Sequence, residues 1–307
     1  MTRALSVLLA LGLAVASPGL ARDRYDLVPV TTQTQALVDR YALPGASVRL
    51  ARDGGVVYRR HFGGYGDGQR VAIASASKWL SALTLARLVE RGQLRWDDPV
   101  GRYFPDAPAA TRAITLAQLF SHTSGIANDD APCISDRNTT LQACGRAILS
   151  MPLAWTPGTA FAYGGNSMQV AGAMAEVATG RSWDALFIAE MVQPLGLVAT
   201  DWTAGAVANG YVPNPNPRIG GGARSTLDDY GRVLDMLLAG GLHQGQTFLS
   251  TQTLATMALD RTTGLVIAAS PVAGYGYGYG IGQWVEAKDA QGATFRVSSP
   301  GAFGFTP

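Results

Sequence analysis

Charged residues are scarce in this chain of 307 residues, and their scarcity excludes some functions. They make up 15% of the sequence, the net charge is +2, and no block of like charge stands out. Nucleic-acid-binding domains instead carry basic patches or stripes. We therefore expect no nucleic-acid partner. Lysine is especially rare, and the two lysines are Lys78 and Lys288.

Candidate metal and phosphate ligands are equally few. The histidines, His61, His122 and His243, are scattered, and with the two cysteines they match no metal-ligand spacing. The glycines at residues 220–222 match no phosphate-binding loop. The sequence therefore predicts no metal and no nucleotide or flavin cofactor.

One apolar run, at residues 4–16, follows Arg3 and precedes a short segment that ends at Ala21. This order is typical of a secretory signal peptide, and we place the cleavage after Ala21. A membrane anchor is the alternative, but the run is shorter than the ~20 residues that a span requires. We expect residues 22–307 to form a periplasmic or secreted domain with no stable membrane span.

The only cysteines, Cys133 and Cys144, lie eleven positions apart in a polar stretch. Export would place them where disulfides persist, so we predict a bridge rather than two free thiols. On the chain-entropy model, a loop of this size contributes about 3 kcal/mol.

Strand patterns near both ends of the chain flank a helix-rich middle. The turn-like residues 52–55 separate two strand patterns, which is a hairpin signal. The predicted strands are residues 46–51, 56–62, 275–286 and 294–298, and the predicted helices include residues 31–41, 77–91 and 115–120. We predict an α+β fold, with an antiparallel sheet built from both chain ends, flanking helices, and an inserted, mostly helical subdomain at about residues 93–220.

A Ser-x-x-Lys sequence, Ser75 to Lys78, stands where a strand pattern gives way to a helix. Residues three apart share one helix face, so the lysine amine reaches the serine hydroxyl. A lysine with a lowered pKa can take the proton from that hydroxyl and make it a nucleophile. The motif alone is weak, because a capped helix with a solvated lysine matches it too.

The usual competing design is a Ser-His-Asp system with a Gly-x-Ser-x-Gly elbow, which this sequence lacks. His122, in Ser121-His122-Thr123-Ser124-Gly125, is a candidate base. A polar turn that closes a helix explains the same residues, and we favour the turn.

Several ordered motifs together carry a resemblance to a known family. They are Ser75-Ala76-Ser77-Lys78, Leu88-Val89-Glu90, Gly92-Gln93-Leu94, Asp97-Asp98-Pro99-Val100, Leu119 to Gly125, Phe161-Ala162-Tyr163, Gly222 to Thr226 and Gly301 to Gly304. In this order they closely resemble the class C beta-lactamase superfamily. This group of serine hydrolases includes D-alanyl-D-alanine carboxypeptidases and beta-lactamase-like carboxylesterases.

The resemblance implies a catalytic set. Ser75 would attack a carbonyl, Lys78 and Tyr163 would share the proton transfers, and water would release the acyl group. The oxyanion hole would use the backbone N–H groups of Ser75 and Ala302.

Two motifs depart from the family pattern. The usual Tyr-x-Asn becomes Tyr163-Gly164-Gly165, so Asn166, one position later, becomes the candidate substrate-binding amide. The usual Lys-Thr-Gly or His-x-Gly becomes Ser299-Pro300-Gly301, in which Ser299 and Gly301 are candidate substrate contacts. The lost cation and the proline disfavour beta-lactams and D-Ala-D-Ala peptides. They favour a smaller, uncharged ester or amide.

Family members continue beyond the Gly301-Ala302-Phe303-Gly304 turn with further strands and a C-terminal helix, so we expect this chain to be C-terminally truncated. The function that we predict is an exported serine hydrolase that cleaves an ester or amide through an acyl-enzyme. The alternatives are a beta-lactamase or D-alanyl-D-alanine carboxypeptidase that acts on peptidoglycan-like substrates, and a catalytically silent binding protein.

Overall fold

The hairpin near the N-terminus follows from its turn residues. In the computed structural model, which describes residues 25–128, 130–202 and 213–301, strands β1 (Gly45–Arg52) and β2 (Gly55–Gly63) pair antiparallel after helix α1 (Val28–Arg40). Asp53 and Gly54 have φ of +51° and +76°. A two-residue turn with positive φ at both residues has a backbone twist that matches the twist of the paired strands. The hairpin prediction is confirmed.

The described residues form two compact units, one that ends at Gly66 and one that begins at Asp67. The second unit is organised around helix α2 (Ser77–Glu90), which begins after a 3₁₀ turn, Ala74–Ala76. Leu80, Leu83 and Leu88 are fully buried. Because α2 is covered on nearly all sides, it is a central core helix rather than a surface one.

The middle of the chain is helix-rich, as the sequence predicted. Thr115 caps one of these helices through a capping box with Gln118, as its side-chain chemistry predicts. The helices that follow α2 are α3 (Val100–Tyr103), α4 (Ala109–Arg112), α5 (Leu116–Phe120), α6 (Leu141–Leu149), α7 (Asn166–Thr179), α8 (Trp183–Phe187), a π-helical turn (Ile188–Val192), α9 (Gln193–Leu195), α10 (Leu227–Leu238) and α11 (Thr251–Ala258).

The described strands form five small sheets rather than one continuous sheet. Besides β1–β2, they are β3 (Val71–Ala72) with β5 (Arg224–Ser225), β4 (Ala160–Ala162) parallel to β8 (Val266–Ala269), β6 (Leu242–His243) with β7 (Gln246–Thr247), and β9 (Gly278–Tyr279), β10 (Trp284–Lys288) and β11 (Thr294–Ser298) in the order β11-β10-β9. The α+β class is confirmed.

The single strand predicted at residues 275–286 is wrong. A turn at residues 280–283 separates β9 from β10, which pair antiparallel with each other. Gly282 has a φ of +70°, and the backbone at Gly280 packs so closely on Met257 that a Cβ would lie 2.2 Å from its carbonyl oxygen. Such glycines mark a bend rather than a strand interior.

The predicted disulfide is present: Cys133 and Cys144 are bonded, which ties a 3₁₀ turn (Pro132–Ser135) to α6. None of the helices built by the described residues is long and apolar enough to cross a membrane. The predicted signal segment lies outside the described residues.

Candidate active site

The turn before α2 presents Ser75 at the start of the helix. Ala74 has a φ of +44°, a strained conformation for a residue with a side chain, of the kind that clusters at functional sites. The Ser77 hydroxyl stabilises the turn, because it donates to the Ala74 carbonyl oxygen at 2.6 Å and accepts from the Ala223 N–H at 3.0 Å. One of the two residues between Ser75 and Lys78 thus anchors the turn.

Lys78 points its amine at the nucleophile. Its Nζ lies 3.1 Å from Ser75 Oγ and donates to the Gly220 carbonyl oxygen at 2.7 Å. The pKa of Lys78 is lowered from 10.5 to about 7, mainly by burial and then by the charge of Arg218, while Asp130 acts in the opposite direction. At neutral pH a substantial fraction of Lys78 is therefore uncharged and able to accept a proton.

Tyr163 completes the group that the motifs singled out. Its ring centroid lies 4.6 Å from Lys78 Nζ. Burial raises the pKa of Tyr163, and its hydrogen bond with the Ser75 side chain acts against that shift. The structure thus brings Ser75, Lys78 and Tyr163 into mutual contact.

An aromatic cluster that sequence reasoning missed holds Tyr163. Trp284 stacks on the Tyr163 ring at a centroid distance of 5.3 Å, and Tyr279 packs edge-on at 6.0 Å. The sequence signal for Tyr279 is the Tyr-Gly repeat at residues 275–280, which, like Trp284, lies in the segment predicted as a single strand at residues 275–286. In the structure those glycines and the turn after them bring Tyr279 and Trp284 to the site.

His122 lies in the turn that follows α5, with a φ of +58°. It is buried against the rings of Tyr163 and Tyr279. Burial first, and then the charge of Lys78, hold the pKa of His122 well below 6.5. Its Nδ1 accepts a long hydrogen bond, 3.5 Å, from the Gly164 N–H. This geometry supports the polar turn rather than a catalytic base.

A cavity of about 280 Å³ opens on Ser75, Lys78 and Tyr163. Its described lining residues are Ala74, Ser75, Lys78, Asp130, Tyr163, Gly164, Gly165, Arg218, Gly220 and Gly221. In the described part of the chain, no group of three or more His, Cys, Asp and Glu side chains could hold a metal ion. Among the described lining residues, the side chains that can react or bind charge are Ser75, Lys78, Tyr163, Asp130 and Arg218.

Two of the remaining predicted site residues, Asn166 and Ser299, are not part of the lining of this cavity. The Asn166 amide donates to the Ala127 carbonyl oxygen and accepts from the Ala131 N–H, both at 2.9 Å, so it fastens a loop. Ser299 lines a different, more apolar cavity. Gly301 lies beside the nucleophile turn, since a Cβ there would be 2.9 Å from the Ile73 carbonyl oxygen. Ala302 lies outside the described residues.

Asp130 and Arg218 are charged lining residues that no sequence motif indicated. They form an ion pair between segments 88 positions apart. Neither residue belongs to a recognised motif: one follows Asn128-Asp129, and the other follows the proline-rich residues 213–217. No local sequence signal could have paired them.

The family follows from comparison with known proteins. A family model described as Beta-lactamase matches residues 30–306 of the chain. The chain belongs to the beta-lactamase family. A crystal structure described as a putative beta-lactamase from Bacteroides dorei DSM 17855 is 33% identical to this chain, with a TM-score of 0.81. The match covers 90% of this chain and 84% of that one. The resemblance that the motifs indicated is confirmed.

Two curated relatives add detail within the family. Esterase EstB of Burkholderia gladioli is 34% identical over 192 residues, which are 53% of this chain and 48% of the esterase. Penicillin-binding protein 4 of Amycolatopsis lactamdurans is 30% identical over 182 residues, which are 53% of this chain and 45% of that protein. The match therefore spans about half the length of these relatives.

Proposed function

We propose that this protein is a serine hydrolase that cleaves an ester or amide through an acyl-enzyme on Ser75. The observation that carries the proposal is the 3.1 Å separation of Lys78 Nζ from Ser75 Oγ, with the Lys78 pKa lowered to about 7. Membership of the beta-lactamase family and similarity to an esterase support it.

The proposed reaction has two halves. Ser75 Oγ attacks the substrate carbonyl carbon while Lys78, with Tyr163 beside it, takes the hydroxyl proton and passes it to the departing alcohol or amine. Water then attacks the carbonyl carbon of the ester on Ser75, the same groups take a proton from the water and return it to Ser75 Oγ as the C–O bond breaks, and the acid leaves. The backbone N–H groups of Ser75 and Ala302 are the proposed oxyanion hole, in which each donor contributes about 3 to 4 kcal/mol in comparable enzymes.

Ser299-Pro300-Gly301 supports an ester or amide rather than a beta-lactam, because this segment offers no cation to a substrate carboxylate. A beta-lactamase or D-alanyl-D-alanine carboxypeptidase is the second candidate, which the similarity to a penicillin-binding protein favours. A catalytically silent binding protein is the third, and the altered second and third motifs favour it.

The experiment compares 4-nitrophenyl butyrate hydrolysis, nitrocefin hydrolysis and fluorophosphonate labelling in wild type and Ser75→Ala. We expect ester cleavage and labelling that both require Ser75, with the exposed Ser150→Ala as the matched control. Rapid nitrocefin turnover without ester cleavage would identify a beta-lactamase. Labelling that is absent, or that persists in Ser75→Ala, would favour the binding protein.

We also propose export to the periplasm or the medium, on the strength of the signal-like residues 1–21. Expression of the full chain in a bacterial host tests this proposal. The product in the periplasmic or medium fraction should begin at Arg22, and an unprocessed cytoplasmic product would contradict export.

A further inference from the structure

The active-site cavity holds an ion pair that the proposed acyl transfer does not use. The Arg218 Nη2 donates to Asp130 Oδ2, and the two side chains are 46% and 39% exposed. Both residues line the cavity that also contains Ser75 and Lys78. Substrate that reaches Ser75 therefore enters a space lined by this pair.

The backbone at Arg218 is held firmly, which fixes the root of its side chain. Its carbonyl oxygen accepts from the N–H groups of Gly221 at 3.1 Å and Gly222 at 2.7 Å. The buried Trp202 indole donates to the same oxygen at 3.1 Å. The backbone hydrogen bonds fix where the side chain begins, and the bond to Asp130 restrains the guanidinium before a ligand binds.

Asp130 is also held in place, by Asn166 and by the space at Gly165. Asn166 binds the backbone of Ala127 and Ala131, on either side of Asp130. A Cβ at position 165 would lie 2.8 Å from Asp130 Oδ1. Glycine at position 165 therefore leaves the space that the carboxylate occupies, and Asn166 holds the loop that brings it there.

The chemistry of the pair favours an anionic ligand. A guanidinium offers five N–H donors in a planar fork that matches a carboxylate, and within the described chain one of them is given to Asp130. A half-exposed ion pair contributes at most about 1 kcal/mol, so Arg218 can share its donors with a second anion at little cost. A cationic ligand is disfavoured, because it would lie near Arg218 and Lys78. Asp130 is the one carboxylate among the described lining residues.

We propose that Arg218, steadied by Asp130, is the specificity-determining residue of this site and binds a carboxylate carried by the ester or amide that Ser75 attacks. This inference rests on the proposed function. It also revises the expectation of an uncharged substrate, and with it the argument against a beta-lactam, because the cation that Ser299-Pro300-Gly301 lacks is supplied by a different segment of the chain.

The test compares esters that differ by one charge. One pair is 3-acetoxybenzoate and its methyl ester, with the carboxylate on the departing alcohol. The other is 4-nitrophenyl hydrogen adipate and 4-nitrophenyl methyl adipate, with the carboxylate on the acyl part. Spontaneous hydrolysis is subtracted, and the readout is the ratio of kcat/KM for the acid to kcat/KM for its methyl ester. A change in the reactivity of Ser75 or Lys78 alters both members of a pair and cancels from the ratio.

We expect Arg218→Gln to lower this ratio about tenfold in at least one pair, the size expected for a charge-assisted hydrogen bond. Arg218→Lys keeps the charge but loses the planar set of N–H donors. Its ratio should lie between those of Arg218→Gln and wild type. Asp130→Asn should raise the ratio, because it removes the competing anion. The matched control is Arg146→Gln, since Arg146 pairs with Asp106 at 45% exposure on another part of the surface.

A ratio that changes less than about threefold in Arg218→Gln for both pairs would overturn the inference, because a lost ionic hydrogen bond is worth more than that. An equal fall of this ratio in Arg146→Gln would also overturn the inference, because the fall would then reflect the net charge of the protein rather than Arg218. Ser75→Ala keeps the two proposals distinguishable: if the neutral esters are cleaved without Ser75, the proposed function has failed, whatever the ratio does.

Discussion

The two lysines of this chain occupy opposite surroundings. Lys78 is 4% exposed, donates to a backbone carbonyl oxygen, and has a guanidinium, Arg218, among its nearby charges. The Lys288 side chain is 34% exposed and donates to the Asp260 carboxylate at 2.5 Å. Lys288 therefore has a neighbour that stabilises its charge, whereas burial destabilises the charge of Lys78.

The difference separates a reactive lysine from a structural one. Burial acts to raise the pKa of Asp260, but hydrogen bonds from Lys288, Thr263 and Thr262 outweigh it and hold that pKa below its usual range. The ionised Asp260 carboxylate therefore accepts the hydrogen bond from Lys288 as an ion pair. Lys78 lacks such a partner at hydrogen-bonding distance among the described residues, so it can give up its proton near neutral pH and act as a base.

The largest expected effect is the loss of ester hydrolysis on substitution of the buried lysine. Lys78→Met should lower kcat/KM for 4-nitrophenyl butyrate about 10² to 10⁴-fold, the range for general acid–base catalysis. Lys288→Met should leave it within about twofold, as for a surface residue outside the site. Steady-state kinetics on both variants, with fold checked by circular dichroism, measures the contrast. Equal losses in the two variants would remove the distinction between the lysines.

The sequence was sufficient to predict the Lys78 side of this contrast. Ser-x-x-Lys at a strand-to-helix boundary is a local pattern, and α2 begins where it predicts. The Thr115 cap and the Asp53-Gly54 turn are local in the same sense, because a few neighbouring residues determine them. Tyr163 needed the order of several motifs, since nothing around it distinguishes a catalytic tyrosine from a packed one.

The remainder of the site depends on contacts between distant segments. The partner of Arg218 lies 88 positions away, and Trp284 reaches Tyr163 because a turn interrupts a segment that looks like one strand. Asn166 shows the converse: its position near a family motif suggested a ligand contact, while its amide holds the loop around Asp130. Periodicity and motif spacing carry no information about such pairings.

A smaller effect concerns stability, and it should have opposite signs at the two lysines. The folded-state pKa of Lys78, about 7, lies below its ordinary value of 10.5, so the unfolded chain binds more protons between these pH values. The free energy of unfolding of wild type relative to Lys78→Met should therefore rise with pH across this window. Lys78→Met should exceed wild type most in free energy of unfolding below pH 7, and this difference should disappear by about pH 10.

Lys288→Met should instead lower the free energy of unfolding at neutral pH by up to about 1 kcal/mol, because Asp260 loses a partner. Urea denaturation of both variants at about pH 6 and about pH 9.5 measures the two trends. A Lys78→Met advantage that is independent of pH would mean that Lys78 titrates alike in the folded and unfolded chain.

The smallest effect tests the charges beside Lys78. Free-enzyme activity should rise with pH through about 7, because only neutral Lys78 accepts the Ser75 proton. Arg218→Gln removes a positive charge that disfavours protonated Lys78, so the midpoint should move to higher pH. Asp130→Asn removes a negative charge that favours the protonated form, so the midpoint should move to lower pH.

Profiles of kcat/KM for 4-nitrophenyl butyrate measure these shifts, each of less than about one pH unit for partly exposed charges. Shifts of the same sign in both variants would contradict a Coulombic origin, because the two residues carry opposite charges at the same cavity.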